Sequence, residues 1–470
     1  MSIEFSKQLT ATETPIPGVV LFDLPVHGDN RGWFKENWQR EKMLALGLPD
    51  FKPVQNNVSF NEKAGTTRGI HAEPWDKFIS VASGKIFGAW VDLRQGPTFG
   101  NIFTATLDAS QAIFIPRGVG NAFQTLEDNT AYTYLVNDHW SADAQGQYTF
   151  LNLDDDTVAI DWPIPLSQAE LSDKDKEHPR LLHVRPMEPK RILVLGANGQ
   201  LGTALRKAFT GDSSVEFCGR EEFDIDDDAA YTSKNWNSYS TIINAAAYTA
   251  VDKAESAEGR RAAWATNVSA ITKLAKVAID HSLILVNVSS DYVFDGQHES
   301  HREDEPFSPL GVYGQTKAAG DAVVSVVPKH YIVRTSWVIG EGHNFVRTMA
   351  NLAGKRIAPS VVNDQFGRLT FAQEIAESIR HLLFTKAAYG TYNVSNDGEV
   401  QSWADIASQV YRLVGASPED VHGVSTESYF RDNPTAAIRP TYSVLELDKI
   451  RQSGYEMSSA QEQLIRYLNE

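Results

Sequence analysis

Cysteine is almost absent. Cys218 stands alone in a chain of 470 residues, which excludes an intramolecular disulfide and suits a reducing compartment. Positive charge is in deficit: 43 Lys and Arg face 60 Asp and Glu, for a net charge of −17. No basic face advertises nucleic-acid binding, and a chain this acidic must gather its cations in a pocket if it handles phosphates. Long apolar runs are missing too, none approaching the roughly 18–20 residues that span a bilayer. The start, Met1-Ser2-Ile3-Glu4-Phe5, lacks the basic region and apolar run of a secretion signal. These absences point to a cytoplasmic protein with neither nucleic acid nor membrane as a partner. What remains is ordinary globular material, 42% hydrophobic and 22% charged, long enough for about two to four domains.

The character of the sequence changes near residue 185. Before it come short β-rich runs cut by turn residues: Ser80-Val81-Ala82, Ile86 to Leu93, Ala112 to Ile115 and Thr130 to Val136. Short strands at this spacing predict an all-β sandwich or barrel. Tyr132 and Tyr134 share one face of their strand, because side chains alternate. Residues 184–189, with Pro186 and Pro189, resist helix and strand alike and read as a linker between domains 1–183 and 190–470. Beyond it strands alternate with helical patterns. Arg191 to Leu195 is the continuous apolar run of a strand buried on both faces, and Leu201, Ala204, Leu205 and Ala208 follow at helical spacing. Val215 to Gly219, Thr241 to Asn244, Leu283 to Val288 and Tyr331 to Val333 continue the alternation. The pattern predicts an α/β Rossmann-type doubly wound parallel sheet.

Chemistry concentrates in two places. In the second half, Gly196-Ala197-Asn198-Gly199-Gln200-Leu201-Gly202 joins a predicted strand to a predicted helix, the context in which a glycine turn lets a pyrophosphate approach free N–H groups. Arg220, after the second strand, leans toward the extra phosphate of NADP, while Glu221 and Glu222 beside it keep NAD open. Ser289-Ser290-Asp291-Tyr292 closes a strand, and Tyr313 and Lys317, four apart, share a helix face. A phenol with a pKa near 10 transfers protons poorly at neutral pH until a cation stabilises its anion. Lysine supplies that cation, and a serine hydroxyl orients a ketone.

With these residues assembled, positions 190 to about 468 resemble the extended short-chain dehydrogenases, and within them the dTDP-4-dehydrorhamnose reductases. Further motifs carry the likeness: Asn244-Ala245-Ala246-Ala247-Tyr248-Thr249-Ala250-Val251-Asp252-Lys253-Ala254-Glu255, Ser289 to Phe294, Thr335-Ser336-Trp337 and Arg439-Pro440. The resemblance implies Tyr313 as the acid, Lys317 as its partner and Ser290 as the group polarising the ketone. It implies NADPH, with NADH possible, held by Gly196, Asn198, Gly199, Gln200, Leu201, Gly202, Arg220, Asp224, Ala245 and Ala246 together with Tyr313 and Lys317. Tyr292, Trp337, Asn344 and Arg439 are then expected to bind the sugar nucleotide in a small lobe. Leu369 stands where the family has proline.

In the first half the concentrated signals are Asp29-Asn30-Arg31-Gly32, Gln55-Asn56-Asn57, Thr67-Arg68-Gly69-Ile70-His71, Lys77, Ile115-Pro116-Arg117-Gly118 and Leu171-Ser172-Asp173-Lys174-Asp175. Barrel metal sites need several histidines close together, and only His71 has a promising strand context, so no metal is expected. His71 alone reads as a core histidine. Residues 14 to about 183, however, resemble the dTDP-4-dehydrorhamnose 3,5-epimerases, which are cupin-type jelly rolls. That resemblance implies His71 as the base, Asp175 as its carboxylate partner, Tyr134 as the acid of the opposite face and Lys77 as the cation on the enolate. It implies substrate contacts from Arg31, Gln55, Asn57 and Arg68, and a homodimer through this domain. Asn121 stands where the family often has histidine and Gly88 where it often has aspartate, and the segment after His71 is shorter than usual.

The two resemblances name consecutive steps on one substrate, a nucleotide-linked keto sugar. The expectation is a bifunctional epimerase and reductase that converts dTDP-4-dehydro-6-deoxy-D-glucose to dTDP-L-rhamnose. Two alternatives stay open: a reductase joined to a mono-epimerase, and a non-catalytic NADP-binding regulatory protein.

Overall fold

A computed structural model describes residues 5, 7–140, 143–433 and 435–469. The chain divides into two compact units, Met1–Pro189 and Lys190–Glu470. Each has apolar clusters of its own.

The first unit is a pair of antiparallel sheets of six and five strands. The strand Lys77–Ser83 lies between Gln111–Ile115 and Thr130–Val136, and Val119–Thr125 lies between Thr67–Ala72 and Ile86–Asp92. The core sits between the sheets, where Ile79, Val81 and Ile113 of one meet Trp90, Leu107 and Phe123 of the other. The runs read as strands are strands because their β-branched and aromatic residues fill that space. The segment 184–189, expected as a linker, belongs to this unit. Val184 and Met187 are buried, and Met187 N–H donates to the Leu93 carbonyl at 2.8 Å while its carbonyl accepts from Gln95. Prolines bar regular structure there, yet two apolar side chains anchor the segment against Leu93 and its neighbours.

In the second unit six parallel strands lie in the order Val215–Cys218, Arg191–Leu195, Tyr239–Asn244, Ile284–Ser290, His330–Thr335 and Gly390–Asn393. Successive residues of one strand serve opposite faces. Leu193, Ile242 and Leu285 pack with Leu274 and Val324 of the helices Ala270–Asp280 and Val312–Val324, whereas Val194, Ile243 and Val286 pack with Leu205 and Ile379 of the helices Gln200–Ala208 and Ala372–Phe384. Strand order reverses on either side of Arg191–Leu195, and the carboxyl ends beside such a reversal form a crevice. A separate cluster of Met349, Phe371, Ile406, Tyr411 and Leu464 holds a smaller lobe. Among the described residues no helix is long and apolar enough to cross a membrane.

Candidate active sites

In the second unit the glycine turn is dictated by crowding. Gly196 has φ +74°, and a Cβ there would lie 2.6 Å from the Ala246 nitrogen. A Cβ at Gly202 would come within 2.5 Å of the Ala197 backbone. Gly199 caps the helix Gln200–Ala208 with no side chain over its first N–H groups, leaving them to an incoming anion. This cradle fits a dinucleotide diphosphate. Asn198 lies against Gly219 at the end of the next strand. Leu201 is a core residue, so only its backbone faces the cradle. Gln200 donates to the His343 carbonyl at 3.1 Å. Ala245 N–H already donates to Leu195, and Ala246 N–H reaches the Asn244 side chain; these two alanines shape the wall rather than donate to a ligand. Arg220 is exposed, with Nε 3.0 Å from Asp224 and Nη2 3.8 Å from Asp226.

Tyr313 and Lys317 lie on the helix Val312–Val324, which is clamped by its neighbours. Glu255 accepts the N–H of Val312 at 2.8 Å, capping the first turn. Gly314 lets the helix press on the preceding loop, since a Cβ there would collide with the Tyr292 carbonyl. Asn267, within a π-turn at Ala265–Ser269, accepts from Tyr248 N–H and donates to Tyr248 O and Thr316.

The groups expected to be catalytic gather near Tyr292, whose ring stands edge-on to that of Tyr313 at 5.4 Å. Tyr313 is hydrogen-bonded to Ser290; burial, and then the Asp291 charge, hold its phenol well above the ordinary value, against the pull of that hydrogen bond. Ser290 Oγ donates to Asp291 Oδ1 at 2.9 Å. Asp291 is buried, and desolvation raises its carboxyl to about 6 despite hydrogen bonds from Ser443 and Ser290. Lys317 donates to the Val288 carbonyl at 2.7 Å. Burial lowers its ammonium to about 8, opposed by Asp321. Asp321 is itself paired with buried Arg334 at 3.0 Å.

Of the residues expected to contact the sugar nucleotide, Arg439 is held by both oxygens of Asp252 at 3.0 Å, joining two motifs from opposite ends of the unit. Trp337 stacks on Trp403 at 3.7 Å between ring centres and stays partly exposed. Asn344 departs from expectation. It is buried, caps the helix Phe345–Gly354 by accepting from Arg347 N–H, and donates to Gly340 O at 2.8 Å and to Tyr467 Oη at 2.7 Å. Its amide is fully engaged by protein groups, so it positions a helix rather than binding sugar.

In the first unit one wide cavity of about 1210 Å³ opens between the sheets. His71, Lys77, Tyr134, Arg68 and Asp175 all line it. His71 Nε2 lies 2.8 Å from Asp175 Oδ1. Asp175 is fixed by the short helix Asp173–Lys176, whose N-cap Ser172 accepts its N–H. Burial works against the Asp175 carboxylate, but the hydrogen bond and charge of His71 outweigh it and hold the pKa below the usual value. Tyr134 is raised to about 12 by burial and by Glu73, with Arg68 opposing. Lys77 is buried, pairs with Glu73 and stands 5.2 Å from the centre of the Tyr134 ring. Glu73 and His178 are the residues sequence reasoning missed; both line the cavity.

Arg31, Gln55 and Asn57 fall outside this lining. Arg31 is exposed and paired with Asp29 at 2.6 Å on the hairpin Val26–Lys35. Gln55 and Asn57, hydrogen-bonded to each other at 2.8 Å, lie further along the strand whose Ser59 and Asn61 do line the cavity. The two substitutions have a joint geometry. Asn121 accepts from Trp90 Nε1 at 2.9 Å and donates to Tyr132 Oη at 3.0 Å, while Trp90 fills the space that a side chain at Gly88 would need. Tyr132 is core, stacked on Phe123 at 4.2 Å.

Comparison with known proteins now decides the relationship. Residues 190–470 match the RmlD substrate binding domain family, and residues 13–183 match the dTDP-4-dehydrorhamnose 3,5-epimerase family. The chain belongs to both families. Its epimerase half is 53% identical over 194 residues to a Streptococcus pyogenes protein called an RmlC homolog, covering 40% of this chain and 98% of that protein. Its reductase half is 36% identical over 279 residues to the dTDP-4-dehydrorhamnose reductase of Aggregatibacter actinomycetemcomitans, covering 56% of this chain and 92% of that one. The crystal structure of the Bacillus anthracis dTDP-4-dehydrorhamnose reductase in complex with NADP aligns with a TM-score of 0.55 at 33% identity, over 60% of this chain and 99% of that one.

Proposed function

We propose that this chain is a bifunctional dTDP-4-dehydrorhamnose 3,5-epimerase and reductase that makes dTDP-L-rhamnose from dTDP-4-dehydro-6-deoxy-D-glucose, with NADPH as reductant. The observation that carries the reading is the presence in one chain of a His71–Asp175 pair in a polar cavity and a Tyr313–Ser290 contact beside Lys317. Both sets of groups act on a ketone and its neighbouring carbons. The jelly-roll and Rossmann-type descriptions of the two halves, with a boundary near residue 190, belong to the same proposal.

At the first site Asp175 holds one nitrogen of His71 and stabilises its cation, so the other nitrogen removes a proton next to the ketone. Lys77 meets the enolate oxygen, its charge concentrated by burial. Tyr134, kept protonated by its surroundings, returns a proton from the opposite face. Arg68, in the cavity lining, offers a guanidinium to diphosphate or sugar oxygens. At the second site the dinucleotide supplies hydride when bound. Ser290 orients the ketone, Tyr313 delivers the proton to its oxygen, and Lys317 stabilises the phenolate that remains.

A homodimer through the first half is part of the proposal. The strand Gln55–Asn61 ends its sheet and turns Val58 and Phe60 to solvent, and Trp33 and Phe34 of the hairpin are exposed as well; an apolar open edge favours pairing. Arg220 is shared by two carboxylates, so Arg220→Ala should raise the KM for NADPH by less than about tenfold and leave NADH kinetics unchanged, as initial rates with each cofactor will show.

The deciding experiment supplies the keto sugar, NADPH and D₂O, and reads the product by NMR. Deuterium at carbons 3 and 5 of a rhamnosyl nucleotide supports the reading. Deuterium at one carbon supports the mono-epimerase instead, and bound but unconsumed NADPH supports the regulatory protein.

A further inference from the structure

We infer that the first half binds a borderline divalent cation such as Zn²⁺ through His71, Asp175 and His178. The ligand atoms of these three residues all lie within 4.8 Å of one another. His71 Nε2 is 2.8 Å and His178 Nε2 4.0 Å from Asp175 Oδ1. Two imidazoles and one carboxylate are a recurrent donor set for zinc. Ligand distances of 2.0–2.2 Å in tetrahedral geometry place donors about 3.4 Å apart. The His71–Asp175 edge must therefore open and the Asp175–His178 edge close by roughly 0.6 Å, and the edge between the two histidines, within 4.8 Å, must adjust to the same separation through χ rotations.

The donors are held for this arrangement. His178 stacks on Phe150 at 4.7 Å and stands edge-on to His71 at 5.3 Å. Its Nδ1 is buried, and its Nε2 is the nitrogen that faces Asp175. The cavity leaves the remaining coordination position to water or a substrate oxygen. The ion would take the place of the His71–Asp175 hydrogen bond that raises the ring's basicity, so occupancy switches off proton abstraction and leaves the reductase half's own chemistry untouched. This consequence rests on the epimerase reading; the binding does not.

Cobalt titration of the whole chain tests it, because tetrahedral Co²⁺ absorbs strongly in the visible. We expect absorption that saturates at one ion per chain, is displaced by Zn²⁺, and weakens at least tenfold in affinity in His178→Ala and in the volume-conserving His178→Gln. His422→Ala, at an exposed position, should bind as the parent does. Zn²⁺ should also raise the unfolding temperature of the parent chain, a readout that needs no variant, and should halt deuterium exchange into the unepimerised keto sugar without slowing NADPH oxidation when the already epimerised ketone is supplied. Absence of saturable absorption, or unchanged affinity in both His178 variants, overturns the site. If the metal-free parent shows no deuterium exchange yet binds Co²⁺ with the stated dependence on His178, the epimerase reading fails and the cation site stands.

Discussion

Two buried groups in the reductase half carry pH signatures, one in rate and one in stability. Lys317 is useful only as an ammonium. With burial setting its pKa near 8, the cation is present below that value and lost above it. NADPH oxidation at saturating substrate should accordingly fall as pH rises through about 8, and a rate profile from pH 6 to 10 checks this; a flat profile would separate Lys317 from the chemistry. Asp291 acts on stability. Its folded pKa of about 6 exceeds the ordinary value of 3.8, so the folded state holds the proton more tightly. Stability falls as pH rises from about 4 through 6 and stays lower above. The shift corresponds to at most about 3 kcal/mol. Asp291→Asn, which still accepts from Ser290, should stabilise the chain above pH 7 by up to that amount, with the gain shrinking toward pH 4 in denaturant titrations. A variant destabilised at every pH would instead make the carboxylate a structural anchor.

At the level of elements, legibility followed locality. Arg191 to Leu195 was readable as a strand because both faces are buried, and Thr130 to Val136 because β-branched and aromatic residues dominate it. Gly196, Gly202, Tyr313 and Lys317 were readable because the chemistry fixes their spacing along one turn or one helix. Glu73 and His178 were not, since loops of no regular pattern bring them to Lys77 and His71. Asn344 was misread because a buried asparagine that caps a helix has the same sequence appearance as one that binds sugar. Gly314 could have been noticed, since glycine inside a helix costs about 1 kcal/mol and signals a close approach. Its replacement tests that approach. Gly314→Ala should push the helix off the Tyr292 carbonyl, lowering stability by about 1–3 kcal/mol and slowing NADPH oxidation more than tenfold. Gly354→Ala, where a Cβ meets nothing within 4 Å, should be neutral or slightly stabilising. Equal behaviour of the two variants would remove Gly314 from the account of how Tyr313 is positioned.

For the whole molecule, separate cores mean that damage to one active site should leave the other folded and working. Removing an acid or base group typically costs a factor of about 10²–10⁴. Tyr313→Phe should therefore lose NADPH oxidation by that factor while deuterium exchange into the keto sugar persists, and His71→Ala should lose exchange while keeping NADPH binding. Mixing the two variants then asks what fusion contributes. If the epimerised ketone leaves one site and reaches another through solvent, the mixture restores rhamnosyl nucleotide formation at high substrate. At low substrate and low protein it should lag behind the parent chain, in which both sites share one tether and a raised local concentration. A mixture that matches the parent at every dilution would show that linkage fixes only the ratio of the two activities. A mixture that never makes product would show that the intermediate has to stay within one chain or its paired copy.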